Sequence, residues 1–588
     1  MSQSSTQSST TIAQTVQGIG PTLLSPPGLL LLGCLAFLLY GAIAGQSQGK
    51  QKKVLARSAL GGNKERTAAR KLACQQIEQQ VFNKFSLFIG IPKGTSTEVV
   101  NGKKAIYIPE DPKSIYLPNI QAGTAFFGAP ETGKSFFGID AMTRSAILQG
   151  ISTIYYDFKG HEDPPPSGVI AAFAQEHGFR VSIFSPGSPE TCVCNILDFL
   201  EHDHDAEAAR DIAEVLNRNL KLSDSGSSGS YFTESGDQLA QAVLMLAKSS
   251  KMGDVMLCQK LLKVMGEKED LVERLNNGLM NHWTKAAFDQ YLGTTKSPET
   301  AASIASTASL LFNRFMVPSA LSAFCGKTTL PLDIGRKQLI IFRMNPKNST
   351  TVGPLLAAVL TMLVQRNIFK QRTSPLLLVL DEVKTIFLPK LSNWLNQMRS
   401  SGLGVVLAAQ SLGVLEETYG KDAINSLVGG CATQIVFQLN DSYTAKFFSE
   451  AAGNEQIDYQ QQSRSRGKGG TNNSVADHSQ TRPLIEVNQL QRLPTGKALL
   501  LNRGYQDGKE VRIPLLVQLE IQQSEIDTIN KCKVNWHQLQ QRLTEQSTAI
   551  KPDEDELEKR LLEAEAMLQL PSTREAYTNA LEVAAAIK

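Results

Sequence analysis

Short apolar runs alternate with amphipathic segments over most of the chain. Near-continuous apolar runs include TAFF (124–127), ISTIYYDF (151–158), QLIIFRM (338–344) and GVVLAAQS (404–411), a pattern typical of strands buried on both faces. Segments of helical period lie between most of them. Further strand-like runs are found at 180–186, 375–382, 433–439 and 497–504. This alternation predicts an α/β fold with a mostly parallel central sheet covered by helices on both faces.

The pattern changes between residues 191 and 334. Several successive segments there have helical spacing, and the breaks between them are rich in serine and glycine. We therefore predict an all-α domain over 191–334, inserted into an α/β domain that comprises 123–190 and 335–520.

Three flanking or connecting regions have patterns of their own. A basic lead-in segment is predicted at 51–122, with a β-hairpin whose turn is Asn101-Gly102. The polar, Gly/Ser/Asn-rich stretch 460–482 is predicted to be a mobile loop. Residues 521–588 are charged and of helical period, which predicts a charged helical tail, and the acidic stretch 551–588 within it is interpreted as solvated.

The first part of the chain has a membrane-anchor pattern. Residues 1–49 contain no Asp, Glu, Lys, Arg or His, and 28–45 is an uncharged run of 18 residues, just enough to cross a bilayer as a helix. A signal peptide, suggested by Ala42-Ile43-Ala44, is the alternative, but no positive charge precedes the run. Lysines and arginines follow it, which favours a transmembrane helix with the bulk of the chain in the cytoplasm.

Composition narrows the choice of function only slightly. The 588 residues carry a formal net charge of +3, so bulk charge makes no case for a nucleic-acid partner. The eight cysteines are mostly scattered and only Cys192 and Cys194 lie close together. We interpret them as reduced thiols rather than zinc ligands.

The sequence GAPETGKS matches the full pattern of a phosphate-binding loop. Gly128 and Gly133 permit a tight turn whose N–H groups point at a phosphate chain, and the following helix adds its positive N-terminus. Lys134 would reach the outer phosphates and Ser135 would bind Mg²⁺. The predicted nucleotide-binding residues are Gly128, Ala129, Pro130, Glu131, Thr132, Gly133, Lys134 and Ser135.

Two adjacent carboxylates, Asp381 and Glu382, follow the apolar run LLLVL. At the end of a parallel strand, Asp381 would hold Mg²⁺ and Glu382 would activate water; a helix N-cap is the alternative for such a pair. Gln410, one strand later, would sense the γ-phosphate or the attacking water. Arg399 would stabilise charge in a neighbouring subunit, unless it is a solvated helix end.

These motifs together resemble the conjugative coupling proteins of type IV secretion systems, the TraD/TraG-like group of RecA-like motor ATPases. The resemblance covers about residues 120–520. It is carried most specifically by the segment from LLLVLDE (376–382) to AAQSLGVLEETYG (408–420), with YYDFKGHE (155–162) and CNILDFL (194–200) in support. The phosphate loop of this chain reads PETGKS where the family often has a Gly-Ser-Gly-Lys sequence.

The resemblance implies a RecA-like P-loop NTPase fold and an ATP- and Mg²⁺-dependent motor. It implies a homo-hexamer, anchored in the bacterial inner membrane, that moves relaxase-bound DNA, here expected to be single-stranded, or protein substrates into a secretion channel. The key positions Lys134, Ser135, Asp381, Glu382, Gln410 and Arg399 fall on matching positions of the family.

Three functions remain open from the sequence. The first is an ATP-driven DNA translocase, whose candidate DNA contacts are the basic run after residue 49 and Arg464, Arg466 and Lys468. The second is a receptor that docks protein cargo, using the helical insert and the acidic tail. The third is a P-loop enzyme unrelated to transport, which the anchor and the insert disfavour.

Overall fold

The structure, a computed structural model, describes residues 59–100, 103–109, 111–223, 230–267, 271–277, 280–467 and 470–569. The predicted transmembrane helix at 28–45 and the end of the predicted tail lie outside the described residues.

Fifteen strands form four sheets in the described ranges. The strands are β1 (Leu87–Ile89), β2 (Ser96–Val100), β3 (Lys103–Tyr107), β4 (Ile115–Leu117), β5 (Thr124–Phe127), β6 (Ser152–Asp157), β7 (Arg180–Phe184), β8 (Gln338–Arg343), β9 (Leu376–Leu380), β10 (Leu403–Ala409), β11 (Thr433–Val436), β12 (Asn454–Gly467), β13 (Gly470–Pro483), β14 (Lys497–Leu501) and β15 (Leu515–Gln518).

The α-helices are α1 (Asn63–Gln79), α2 (Asp140–Leu148), α3 (Pro166–Glu176), α4 (Ala206–Ser223), α5 (Ser230–Lys248), α6 (Val255–Glu267), α7 (Leu271–Asn277), α8 (His282–Thr294), α9 (Pro298–Asn313), α10 (Pro318–Leu321), α11 (Ser349–Ile368), α12 (Leu391–Gln397), α13 (Leu412–Tyr419), α14 (Lys421–Gly430), α15 (Ser442–Ala452), α16 (Val487–Leu490), α17 (Gln523–Gln546) and α18 (Glu554–Met567).

A nine-stranded sheet is the centre of the fold, in the order β15-β14-β11-β5-β10-β9-β6-β8-β7. From β11 to β7 all neighbours are parallel, whereas β14 and β15 add an antiparallel edge. This confirms the predicted mostly parallel sheet. Strand β10 lies between β5 and β9. The carboxyl ends of these parallel strands meet at one edge, where ligands of open α/β sheets bind.

Both faces of this sheet are covered, which explains why its strands read as continuous apolar runs. Alternate residues of β5 and β6 enter two different cores. Phe127 and Tyr156 pack with the helices that lie between β7 and β8, whereas Phe126 and Tyr155 pack with α2, α3 and α17.

Helices α4 to α10 all lie within residues 191–334, where the sequence predicts an all-α domain. Their apolar side chains share one continuous core with a face of the sheet. The division of the chain into separate domains therefore stays a prediction.

One helical segment of the described residues, Pro346–Ile368, is long and apolar enough to cross a membrane. It includes α11, and 83% of its most apolar window is buried inside the protein. This burial is typical of a core helix.

Two regions differ from the sequence-based expectations. In the stretch 460–482, predicted as a mobile loop, residues 460–467 and 470–482 belong to the long antiparallel strand pair of the β12–β13 hairpin. A two-stranded ribbon needs no buried apolar face, so hydrophobic pattern cannot reveal it. Helices α17 and α18 lie in the charged segment that was predicted to be helical. Helix α18, in the stretch interpreted as solvated, packs on the protein, as α17 does: Ala564 and Trp536 are fully buried.

Candidate nucleotide site

The loop between β5 and α2 has the conformation of a phosphate cradle. Gly133 has φ 90° and Glu131 has φ 63°, both in the left-handed region that favours glycine. The N–H groups of residues 131–133 form no backbone hydrogen bond in the part of the chain that the structure describes. These donors suit an anion. A Cβ on Gly128 would come within 2.8 Å of Phe437, so the loop tolerates no side chain there.

The helix after this loop begins with a π-helical turn, Lys134–Ile139, before α2 continues it. Such turns are frequent at functional sites. The ring of Phe137 lies against Gly133, where an added Cβ would come within 2.4 Å of it. The turn therefore packs tightly against the loop.

Lys134 is folded over the loop and is only 6% exposed. Its Nζ donates to the carbonyl oxygens of Ala409 (3.2 Å) and Gly128 (3.5 Å) and lies 3.8 Å from Glu382 Oε1. Burial lowers the pKa of its ammonium, against the opposing effects of Glu382 and Asp381. Two carboxylates thus help to keep the lysine charged beside the loop.

Ser135 and Asp381 meet although they are 246 positions apart. The Ser135 hydroxyl lies 3.3 Å from both carboxylate oxygens of Asp381. Burial, followed by repulsion from Asp140 and Asp157, raises the pKa of Asp381 to about 7. A divalent cation held by this hydroxyl and this carboxylate would offset that repulsion.

Glu382 has the left-handed conformation φ 60°, ψ 57°, a strained geometry for a residue with a side chain. Its Oε1 faces Lys134, while its Oε2 is buried with no hydrogen-bond partner among the described residues. A buried carboxylate oxygen without a donor is costly. It is available to accept a proton or a hydrogen bond from a water molecule.

Gln410 and Arg399 lie near opposite ends of the same strand, β10. Gln410 directly follows β10, whose register pairs Ala409 with Phe127, so it lies beside Gly128. Arg399 precedes β10, and its guanidinium donates to the carbonyl oxygens of Leu395 and Gly430. Within one chain, the structure brings Gln410 to the phosphate loop but not Arg399.

Two further carboxylates lie at this edge and were not among the predicted site residues. Asp140, in the first turn of α2, accepts a hydrogen bond of 2.9 Å from Tyr155, and burial raises its pKa to about 6. Asp157, at the end of β6, is fully buried and accepts the N–H groups of Lys159 and Ser167. Asp157 could have been found from the sequence, because it comes at the end of an apolar run, as Asp381 does.

The arrangement fits a nucleoside triphosphate with Mg²⁺. The unbonded N–H groups of the loop and Lys134 would hold phosphates, and Ser135 and Asp381 would hold Mg²⁺. Glu382 presents its partnerless oxygen at the same edge. All of these groups are of the kinds expected in the site of a P-loop NTPase.

Parts of the chain are similar to known proteins. Residues 375–495 match a family model described as the TraM recognition site of TraD and TraG. The type IV secretion system-coupling protein VirD4 of Bartonella henselae is 24% identical over 341 residues, which cover 55% of this chain and 53% of VirD4. The conjugal transfer protein TraG of Rhizobium radiobacter is 29% identical over 130 residues, which cover 22% of this chain and 20% of TraG.

The chain thus spans about half of the VirD4 relative and a fifth of the TraG relative. Among solved structures, the bacterial conjugative coupling protein TrwBdeltaN70 in its unbound monoclinic form aligns with a TM-score of 0.49 and 16% identity, covering 74% of this chain and 90% of that chain. The family model and the two relatives together show that the chain is similar to the conjugative coupling proteins of type IV secretion systems.

Proposed function

We propose that the protein is a membrane-anchored ATPase that couples Mg²⁺-dependent ATP hydrolysis to the movement of relaxase-bound DNA into a type IV secretion channel. The observation that carries this proposal is the meeting of Ser135 with Asp381 at 3.3 Å, beside Lys134 and Glu382. Residues far apart in sequence thereby form the parts of one hydrolysis site.

Each residue has a defined role in this proposal. Lys134 neutralises the charge that develops on the outer phosphates, and Ser135 with Asp381 would hold a Mg²⁺ ion that supplies further positive charge at the phosphates. Glu382 accepts a proton from the attacking water through its partnerless oxygen. Gln410 orients that water or the γ-phosphate from the adjacent strand.

Arg399 acts in this proposal on the nucleotide of a neighbouring subunit. Strand β10 separates it from the phosphate loop by seven residues, roughly 20 Å at the usual rise per residue. It lines a cavity of about 320 Å³ together with Lys84 and Arg503, and such a basic cavity suits an anion presented by another subunit. An active oligomer, which we propose to be a homo-hexamer, is then required.

The membrane and DNA parts of the proposal rest on sequence. The anchor at 28–45 would hold the protein in the bacterial inner membrane as a single-pass protein with its bulk in the cytoplasm. Arg464 and Arg466 lie in β12, and with the basic run after residue 49 they are the candidate contacts to DNA phosphates.

The full-length chain in lipid nanodiscs tests this function. ATP turnover is measured with and without single-stranded DNA, at several salt concentrations, for the wild type and for Lys134→Ala. We expect DNA to raise turnover, DNA binding to weaken steeply with salt, and Lys134→Ala to abolish turnover, whereas the exposed control Lys551→Ala behaves as the wild type. An ATP turnover rate that is the same with and without DNA would reject the DNA motor, and so would plasmid transfer that persists in Lys134→Ala.

Docking of a protein partner is a second candidate. It is favoured by the match of 375–495 to a segment described as the TraM recognition site of TraD and TraG, which contains the hairpin β12–β13. The hairpin register pairs Gln460 with Asp477, so joining these two residues through Asn-Gly shortens it without a register shift. Loss of relaxase or cargo capture with unchanged ATP turnover would support docking, and unchanged capture would exclude the hairpin.

A further inference from the structure

Helix α17 packs on the protein through one buried aromatic side chain, Trp536, and through other buried contacts, among them an ion pair of 2.7 Å between Glu525 and Arg144. Trp536 is fully buried and lies against Gly168 of α3, where an added Cβ would come within 2.7 Å of its indole. Exposed hydrogen bonds flank it, from Asn535 to Glu176 (2.7 Å) and from Arg542 to Gln175. The indole therefore occupies a slot that only glycine leaves open.

Beneath the indole lies a buried guanidinium. Arg343, 3% exposed, has its guanidinium carbon 4.6 Å from the centroid of the Trp536 ring, within cation–π range. It forms an ion pair of 2.8 Å with Glu190 and donates through Nε to the Ser167 hydroxyl at 2.8 Å. The indole and these two partners hold Arg343 in one orientation.

Arg343 also lies next to Asp157, one of the carboxylates at the strand ends that form the site. The register of β6 and β8 places it opposite Asp157. Asp157 accepts the N–H of Ser167 at 3.2 Å and that of Lys159 at 2.8 Å, so it caps the first turn of α3. Strand β9 is linked to β6 next to Asp157, because the N–H of Asp381, which follows β9, donates to the carbonyl oxygen of Tyr156. Contacts thus run without a break from Trp536 to the strand end that carries Asp381.

The other end of the C-terminal segment reaches the helices between β7 and β8. Ser547, after α17, donates to the carbonyl oxygen of Thr191 at 2.6 Å. Arg560 of α18 forms a buried ion pair of 3.0 Å with Asp254, beside α6. The segment therefore connects the support of the nucleotide site with the helical region.

We infer that Arg343 is a positioning residue of the ATP site and that Trp536 of α17 holds Arg343 in place. The loop after β6 and the start of α3 keep their conformation only while α17 is docked. This inference rests on the proposed ATPase function for its catalytic consequence. Its structural consequence holds without nucleotide.

The first test needs no nucleotide. Amide hydrogen exchange of the full-length chain is measured for the wild type, Trp536→Ala and the control Asn535→Ala, which removes only an exposed contact of the same helix. We expect Trp536→Ala to raise exchange at residues 158–168 by about tenfold or more, and Asn535→Ala to leave it unchanged. Unchanged exchange in Trp536→Ala would overturn the inference.

The second test measures ATP turnover of the same variants. We expect Trp536→Ala to lower kcat by about tenfold or more, because small misplacements of catalytic groups are costly, while KM for ATP changes by less than about threefold. Trp536→Phe should recover part of the loss. Wild-type kcat in Trp536→Ala would contradict the inference, whereas a wild type without turnover would reject the ATPase function instead.

A conservative variant covers the case in which Trp536→Ala does not fold. Arg343→Lys keeps the charge but loses the fork that contacts Ser167 and Glu190 at once. It should show the same rise in exchange and the same fall in kcat. A folded Arg343→Lys chain with wild-type exchange and kcat would overturn the inference.

Discussion

Replacing Glu382 is expected to separate catalysis from stability. In Glu382→Gln the side chain keeps its shape and its left-handed backbone but can no longer accept a proton from water. In Glu382→Gly the whole side chain is lost, and the strain at φ 60° is relieved. Neither variant retains the negative charge that faces Lys134, so that charge does not contribute to the difference in stability between them.

The magnitudes follow from these two effects. Loss of a general base lowers kcat by about 10²–10⁴-fold, or roughly 3–5 kcal/mol of activation free energy, in both variants. The left-handed conformation costs a residue with a Cβ about 1–2 kcal/mol. The greater unfolded-state entropy of glycine offsets about 0.5–1 kcal/mol of this. Glu382→Gly should therefore be more stable than Glu382→Gln by about 0.5–1 kcal/mol.

Two assays check this prediction. Phosphate release at saturating ATP and Mg²⁺ gives kcat, while binding of a fluorescent ATP analogue shows that the site still forms. Urea midpoints without nucleotide rank the two stabilities. Wild-type kcat in either variant would refute the role of Glu382 as base, and a Glu382→Gly chain less stable than Glu382→Gln would refute the strain.

Three further outcomes are expected. Glu131→Gly should tighten ATP binding and raise stability by about 1 kcal/mol, because Glu131 has φ 63° and places a negative charge in a phosphate loop; weaker binding in calorimetry would contradict this. Arg560→Met should leave Asp254 buried and unpaired, at a cost of about 3 kcal/mol, and expose α18 to limited proteolysis, whereas the exposed control Lys559→Met should not; equal protection of both chains would count against it. Chelation of Mg²⁺ should abolish turnover, and Ser135→Ala should raise the Mg²⁺ concentration needed for half-maximal rate; an unchanged Mg²⁺ requirement would remove Ser135 from the cation site.

The sheet and half of the site could be predicted from sequence because their signals are local. Strand β5 coincides with the predicted run TAFF (124–127), since a strand buried on both faces leaves a continuous apolar run. The loop pattern at 128–135 and the pair Asp381-Glu382 are likewise contiguous. Parallel strands then bring their ends to one edge, so the meeting of Ser135 and Asp381 follows from topology.

Other features depend on tertiary contacts that no local pattern encodes. The sequence around Trp536 is charged and of helical period, which does not indicate that this helix packs on the protein. The packing is seen only in the folded structure, where Trp536 lies against Gly168. The burial of Asp157 likewise depends on Arg343, which lies in another strand. The left-handed backbone of Glu382 has no composition signal, because glycine or asparagine would be expected at such a position.

The central claim is that residues 128–135 and the Asp381-Glu382 pair form one ATP-hydrolysing site. Single-turnover phosphate release from Mg²⁺-ATP by the full-length chain tests it most directly, with Lys134→Ala beside the wild type. The account predicts release by the wild type and none above background by Lys134→Ala. Release at the wild-type rate from Lys134→Ala, or none from a wild type that binds ATP, would contradict it.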